Sequence, residues 1–181
     1  MSEPIPFEAF VRYYQNMVFT IAYRLLADDM EAQDIAQEVF LRAYESFDNL
    51  SVNPAAGGWL KVVTRNLCLN HLTRHRSRWR LFSELFNRKE EDVDVEELFA
   101  APDTSVPGFE NAEQQAQLAE ALAQLPAAQR APLVLHFIED MSYASIAQSL
   151  NMTLANVKAN IHRGRLALRR VLSRRQEFRK D

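Results

Sequence analysis

The sequence predicts an all-α protein: an N-terminal helical bundle and a C-terminal helix-turn-helix bundle, joined by a flexible acidic linker. Apolar residues recur at steps of three and four in successive segments, which is the spacing of one helix face. Four glycines and seven prolines among 181 residues leave little material for the tight turns of a many-stranded sheet. We therefore expect two small domains, at residues 1–80 and 113–181, with the linker at residues 81–112.

The first two helices are predicted from periodicity and capping. Residues 7–25 carry an apolar stripe at helical spacing. Asp28 or Asp29 then caps the next helix, because a short carboxylate accepts the unpaired backbone N–H groups of a first turn. The stripe of this second helix that we expect to be buried consists of Ile35, Val39, Ala43 and Phe47.

A loop and a central helix complete the N-terminal domain. Residues 48–58 break the helical pattern, and Asn53-Pro54 fits a cap followed by a first-turn proline. The following segment, WLKVVTRNLCLNHL, is apolar nearly all round and is therefore expected to lie at the centre of the bundle. After Arg80 the composition becomes acidic and loses its periodicity, so we expect the domain to end there.

Charge is segregated along the chain, although the net charge is only -3. Residues 28–48 hold seven acids against one base, and residues 59–80 hold six bases and no acid. Residues 84–120 hold eleven acids against two bases, and residues 154–181 hold nine bases against two acids. Two cationic segments separated by an anionic one indicate two nucleic-acid contacts joined by a tether.

The C-terminal segment YASIAQSLNMTLANVKANIHRGR has the layout of a helix-turn-helix. Ala147 is small where two helices must cross closely, Asn151 tolerates the left-handed backbone of a sharp turn, and Thr153 can cap the second helix. The residues expected to fill the angle between the helices are Ile146, Leu150, Met152 and Val157. An outer face of cations, amides and small side chains suits the major groove of DNA; the alternative is a solvated basic helix end in a protein-binding bundle.

A second polar face lies in KVVTRNLCLNHLTRHRSRWR. Asn66 and Asn70 lie one turn apart, and two neighbouring amides can hydrogen-bond the edge of an unstacked base. The cations that could follow a sugar-phosphate backbone beside them are Lys61, Arg65, Arg74 and Arg76. Trp59 or Trp79 could offer a stacking surface, although Trp59 has core-like neighbours. This face indicates either nucleic acid, single- or double-stranded, or a generic basic surface.

Catalytic and metal chemistry find little support in the sequence. Cys68, His71 and His75 could share a helix face, but no fourth zinc ligand is evident, and we expect no metal and no cofactor. Gly-rich phosphate loops and hydrolase signatures are lacking, so an enzyme is not expected. The sequence contains neither a signal peptide nor an apolar run of membrane-spanning length, which favours a cytoplasmic protein without membrane insertion.

Three blocks in this order carry a resemblance to a known family. They are DDMEAQDIAQEVFLRAYESF, WLKVVTRNLCLNHLTR and, after the acidic linker, LPAAQRAPLVLHFIEDMSYASIAQSLNMTLANVKANIHRGRLALRRVL. Together they resemble a bacterial RNA polymerase sigma factor of the extracytoplasmic-function (ECF) group, over residues 7–172. The resemblance implies that the first domain reads and melts the promoter -10 element and that the second reads the -35 element. It also implies docking on the β′ clamp helices and the β flap of core RNA polymerase, and an anti-sigma factor as a further partner.

The resemblance assigns roles to individual residues. The polymerase-docking residues would be Asp34, Gln37, Glu38 and Arg42. The -10 contacts would be Lys61, Arg65, Asn66, Asn70, Arg74 and Arg76, with the loop at residues 48–56 helping to grip a flipped base. The -35 contacts would be Thr153, Asn156, Lys158, Ala159, Asn160, His162 and Arg163. The chain departs from the family at residues 155–160, where members often have Gly-Thr-Val-Lys-Ser-Arg, and at Gly57-Gly58, where a bulkier pair is common.

Other classes of function remain as alternatives. A stand-alone helix-turn-helix regulator would bind duplex DNA without polymerase and would not need the acidic face at residues 28–48. A helical adaptor or inhibitory protein would show no dependence on DNA in any assay. Both alternatives predict results that differ from those of a sigma factor.

Overall fold

A computed structural model describes residues 6–75 and 112–178, with side chains described as far as Arg174. Every regular element within these residues is a helix, which confirms the all-α prediction. The predicted acidic linker at residues 81–112 lies almost wholly outside the described residues. The helices are α1 (Phe7–Leu26), α2 (Asp29–Glu45), α3 (Phe47–Leu50), α4 (Ala56–Arg74), α5 (Ala112–Ala123), α6 (Ala127–Phe137), α7 (Tyr143–Ser149) and α8 (Leu154–Phe178).

The chain divides into two compact units, Met1–His71 and Leu72–Asp181. In the first unit, α1 and α2 pack against each other and are joined by a short connection. Ala27 ends α1 in the left-handed conformation, with φ of 55°, and its N–H donates to the Tyr23 carbonyl at 2.8 Å. The Asp28 carboxylate then accepts from the Glu31 N–H at 3.0 Å, which confirms the predicted cap of α2.

The core of the first unit gathers apolar side chains from all four of its helices. Its buried members are Phe10, Val18, Val39, Ala43, Leu50, Ala56 and Leu60. Trp59 is half-buried and packs against this core, so its predicted core role is confirmed. The predicted burial of Val39 and Ala43 is confirmed as well, and Ile35 and Phe47 pack against the core while remaining half-exposed.

The loop predicted at residues 48–58 was too long at both ends. Phe47–Leu50 forms the short helix α3, because Leu50 is buried in the core and Phe47 packs against it. Likewise α4 begins at the buried Ala56, so Gly57 and Gly58 belong to its first turn. Asn53 does not act as the helix cap; its side chain instead accepts from the Ala55 N–H at 2.8 Å within the intervening turn.

The two glycines of α4 differ in their surroundings, which yields a prediction on stability. A Cβ at Gly57 would lie 3.2 Å from Tyr14 Cε1, whereas a Cβ at Gly58 would meet no described atom within 4 Å. We expect Gly58→Ala to raise the free energy of unfolding by about 0.5 to 1 kcal/mol, because alanine restricts the unfolded chain and favours the helix. Gly57→Ala should gain less, since the Tyr14 ring must shift. Urea unfolding of both variants checks this, and an equal gain in the two would contradict it.

The second unit packs α5, α6 and α7 around α8. Leu122, Leu135, Ile146, Leu150 and Val157 are almost completely buried there. Pro126 precedes the first residue of α6 and so stands at its cap. These helices hold α8 in place for the surface described below.

Candidate nucleic-acid interface

The structure confirms the helix-turn-helix predicted in the second unit. After α7, Asn151 adopts φ of 52°, the left-handed conformation predicted for the turn. The Met152 N–H donates to the Ala147 carbonyl at 2.8 Å, and the Thr153 hydroxyl accepts from the Asn156 N–H at 3.2 Å as the cap of α8. Buried side chains from both helices fill the angle between them, so α8 is held rigidly against α7.

The inner face of α8 is apolar and buried. Val157, Ile161 and Leu168 are buried, and Gly164 lies so close to α6 that a Cβ would stand 3.1 Å from the Gln129 carbonyl oxygen. The predicted contact residues that lie at the cap or on the accessible sides of α8 are exposed or half-buried, namely Thr153, Asn156, Lys158, Ala159, His162 and Arg163. This arrangement presents hydroxyl, amide, imidazole and cationic groups together, as groove contacts require.

Asn160 is the exception among the predicted contacts of α8. It is only 8% exposed, and its Nδ2 donates to the Asn156 carbonyl oxygen at 2.8 Å. Helical spacing explains the burial, because Asn160 lies three residues after Val157 and four before Gly164, on the inner side of α8. This hydrogen bond ties the Asn160 side chain to the first turn of α8. The side chain would have to break it and leave the inner side of the helix to reach a base.

The second polar face follows α4. Lys61, Asn66, Asn70 and Arg74 are exposed, and Arg65 is half-buried. Asn66 and Asn70 lie on successive turns, as predicted, and their amides can meet one planar ligand together. Arg76, the remaining predicted contact on this segment, lies outside the described residues.

The predicted docking residues lie along α2. Asp34, Gln37 and Arg42 are exposed, and Glu38 is half-buried. The Arg42 Nε donates to Glu38 Oε1 at 2.8 Å, an ion pair within the helix that solvent screens. The face therefore combines two carboxylates with an amide and one paired guanidinium.

An apolar groove between α1 and α2 borders this face and was not predicted from the sequence. It encloses about 760 Å³. None of the described residues that line it is charged. The lining residues are Phe7, Val11, Gln15, Asn16, Phe19, Gln33, Ala36, Gln37, Phe40, Leu41 and Tyr44. Leu41 and Tyr44 are 63% and 66% exposed. Leu41 and Tyr44 lie outside the predicted buried stripe of α2. This position is the feature of the sequence that could have indicated an interface, because large apolar residues outside a stripe often mark one.

Comparison with known proteins identifies the family. Sigma-70 region 2 matches residues 10–78, and Sigma-70 region 4 matches residues 115–168. The ECF RNA polymerase sigma factor SigW of Bacillus subtilis is 32% identical over 92% of this chain and 88% of its own length. The chain belongs to the ECF group of RNA polymerase sigma factors.

Two further proteins are similar to this sigma factor. The ECF RNA polymerase sigma factor SigE of Mycolicibacterium smegmatis is 34% identical over 91% of this chain, which spans 60% of that relative. A solved structure of the sigma factor RpoE with the anti-sigma factor NepR from Bartonella quintana has a TM-score of 0.48 at 19% identity, covering 92% of this chain and 96% of that one.

The family regions coincide with the polar faces of this sigma factor. Region 2 takes in α1 to α4, with the acidic face of α2 and the amide face of α4. Region 4 includes the helix-turn-helix and the outward side chains of α8. The protein is therefore an RNA polymerase sigma factor whose two family regions each carry a distinct polar surface.

The cysteine and histidines considered as metal ligands do not come together in this sigma factor. Cys68 is buried, His75 is exposed, and the His71 Nε2 lies 2.9 Å from Glu31 Oε2 on α2. His71 thus joins α4 to α2. Within the described ranges, no cluster of three His, Cys, Asp or Glu residues could hold a metal ion. Among those same residues, no helix is both long and apolar enough to cross a bilayer.

Proposed function

We propose that this sigma factor directs core RNA polymerase to promoters with two elements and has no catalytic activity of its own. It would read the -35 element as duplex through α8 and stabilise the melted -10 strand on α4. The observation that supports the proposal is that two separate compact units each carry an accessible polar face, the outer side of α8 in one and the exposed amide pair of α4 in the other. DNase footprinting of promoter DNA with core polymerase alone, sigma factor alone and both together tests it. Protection of both elements only with both proteins would support the proposal.

The proposed -35 surface is the outer side of α8. Arg163 can donate two parallel hydrogen bonds to a guanine edge, Asn156 can pair with an adenine, and Ala159 allows a thymine methyl to approach. Lys158 supplies charge to a phosphate without reading sequence. Because residues 155–160 differ from the pattern common in the family, we propose that this sigma factor has its own -35 preference.

Arg163 provides a test of base reading on this surface. We expect Arg163→Ala to weaken use of the -35 element by about 1 to 3 kcal/mol if the guanidinium contacts a base, and by less if it contacts only phosphate. Gel-shift titrations of the holoenzyme on promoters altered one base pair at a time measure the effect. The matched control is Arg174→Ala, since Arg174 is an exposed arginine three turns further along α8. An equal loss in both variants on every sequence would show that Arg163 does not read a base.

The proposed -10 surface is the exposed face of α4. Asn66 and Asn70 offer both donors and acceptors, so they can hydrogen-bond the edge of a base that has left the stack. Arg65 lies about one and a half turns and Lys61 about two and a half turns before Asn70 on the same helix, and these cations can follow the phosphates of the opened strand. Arg74 extends this cationic track at the other end of the helix.

We further propose that α2 docks on the β′ clamp helices of core polymerase and that the second unit contacts the β flap. Asp34 and Glu38 would face basic side chains of the clamp, while the groove beside them would receive an apolar anchor. The proposal rests on an acidic strip lying next to an uncharged apolar groove on one surface. Since core polymerase acts in the cytoplasm, we place this sigma factor there too.

An anti-sigma factor is the other partner that we propose. Met30, Leu41 and Tyr44 are between 63% and 68% exposed on α2, and an inhibitor that covers them would also block the docking face. Copurification of the sigma factor from cells, followed by competition with core polymerase, tests this partner. A copurified protein that leaves polymerase binding unchanged would contradict the proposal.

A further inference from the structure

A leucine is exposed on the outer side of α8. Leu166 is 41% exposed, whereas the other large apolar side chains described on α8 beyond Leu154 are buried or half-buried, namely Val157, Ile161, Leu168, Val171 and Leu172. At about 100° per residue, Leu166 lies about 160° round the helix from Gly164, which lies against α6. Leu166 therefore adds little to the core, and its neighbours on the outer side of α8 decide what it can contact.

Leu166 shares a helix face with three of the proposed -35 contacts. Ala159, His162, Arg163 and Leu166 stand at positions i, i+3, i+4 and i+7, a spacing that places side chains on one side of a helix. The recognition helix of a homeodomain reads base edges from four residues at this same spacing. Leu166 is thus in line with the residues that would enter the major groove, about two turns after Ala159.

Cationic side chains flank Leu166 along this face. Arg163 lies about one turn before it, and Arg169 and Arg170 lie about one turn after it. At about 100° per residue, Arg169 and Arg170 lie roughly 60° and 40° to either side of Leu166, and both are exposed. Arginines at such positions can contact the phosphates that border a groove and so fix the helix on the duplex. The apolar side chain between them would then face the groove rather than a phosphate.

The chemistry and the length of the leucine side chain limit what it can meet in a groove. Leucine has no donor or acceptor, and the apolar group that base pairs present in the major groove is the thymine C5 methyl. The short side chain of Ala159 requires α8 to lie close to the base edges there. Since the groove winds round the duplex and a straight helix does not, the gap to the bases widens along α8. The longer side chain of Leu166 can span that gap.

We propose that Leu166 contacts the methyl group of a thymine in the -35 region and so adds a base pair to the sequence that α8 reads. This inference rests on the proposed -35 function of α8. At 1.5 Å per residue, Leu166 lies roughly 10 Å along α8 from Ala159. That distance corresponds to about three base pairs at 3.4 Å each. The thymine therefore lies about three base pairs from the base pair that faces Ala159.

The test uses the complete holoenzyme and a promoter that it transcribes. Each thymine of the -35 region is replaced in turn by deoxyuridine, which lacks only the C5 methyl, and affinity is measured by gel-shift titration. With the natural protein we expect about a fourfold loss of affinity at one thymine, the effect of exposing one buried methyl group. Leu166→Ala should bind the natural promoter about fourfold more weakly or worse. Deoxyuridine at that thymine should then cause no further loss.

Two control variants accompany Leu166→Ala. Leu166→Met keeps an apolar side chain of similar length, so the loss caused by deoxyuridine should remain. Leu154→Ala removes another exposed leucine of α8, which is 45% exposed and lies about 120° round the helix from Leu166. This variant should also keep the deoxyuridine effect. Binding to core polymerase is measured for all three variants, and circular dichroism verifies that their helices remain.

The results separate this inference from the proposed function. The methyl contact is overturned if no thymine is sensitive to deoxyuridine, or if every sensitive thymine remains so in Leu166→Ala. A loss of affinity for core polymerase in Leu166→Ala would overturn it as well, because Leu166 would then contact protein. If Leu166→Ala behaves normally while Arg163→Ala weakens use of the -35 element, only this inference fails. If Arg163→Ala also behaves normally, the proposed -35 function of α8 fails.

Discussion

Reversing two charges on α2, in the double variant Asp34→Lys/Glu38→Lys, is expected to lower the affinity for core RNA polymerase about a hundredfold or more. The reason is that, at the proposed interface, two carboxylates facing basic side chains become two cations facing them, and like charges placed together at an interface oppose binding by several kcal/mol. The substitution at position 38 also places a second cation beside Arg42, whose Nε now lies 2.8 Å from Glu38 Oε1. Fluorescence anisotropy of labelled sigma factor titrated with core polymerase measures the affinity.

A matched control separates docking from overall charge. Glu113→Lys/Glu120→Lys makes the same change in net charge on α5, where both residues are exposed. We expect it to bind core polymerase almost normally. Circular dichroism of both double variants verifies that the helices remain. Equal affinities for the two variants would exclude α2 as the docking helix.

The second large effect is expected at the amide pair of α4. Asn66→Ala/Asn70→Ala should reduce formation of the open promoter complex by about 30- to 150-fold, since two hydrogen bonds to a flipped base are lost at about 1 to 1.5 kcal/mol each. Polymerase binding should stay within about twofold, because the proposed docking face lies on α2. Permanganate reactivity of thymines in the -10 element reports opening, and anisotropy reports polymerase binding.

The control for the amide pair is Gln124→Ala, which removes an exposed amide after α5. We expect it to open the promoter as the natural protein does. Equal losses of opening and of polymerase binding in the asparagine variant would show that the two residues do not form a base pocket. Thermal unfolding of the variants excludes a loss of structure as the cause.

Local features of the fold were predictable where short-range chemistry decides them. Asp28 and Thr153 cap their helices, and Asn151 takes the left-handed turn, because each outcome depends on a side chain and its nearest backbone neighbours. The inner face of α8 was also predictable, since periodic apolar positions face the nearest core. Gly164 lies on this inner face as well, where the absence of a side chain allows α8 to approach α6 closely.

Features that depend on distant packing were harder to predict. Phe47–Leu50 is helical because its apolar side chains reach a core formed with α1 and α4, and four residues are too few to show a helical period in the sequence. Asn160 is buried because it lies on the inner side of α8, where its amide pairs with the Asn156 carbonyl, although the resemblance placed it among the base contacts. The groove beside α2 forms where α1 and α2 meet, so Leu41 and Tyr44 could indicate an interface from the sequence but not the shape of the groove.

The most direct measurement is transcription by core RNA polymerase, with and without this protein, on a library of genomic promoter fragments. We expect defined transcripts only when both are present, with start sites downstream of paired -35 and -10 elements and with thymines opened at the -10 element. Transcripts from the same sites with core polymerase alone would contradict a promoter-selecting role. The role would also be contradicted if this protein bound the promoter DNA equally well without polymerase and supported no transcription when polymerase was present.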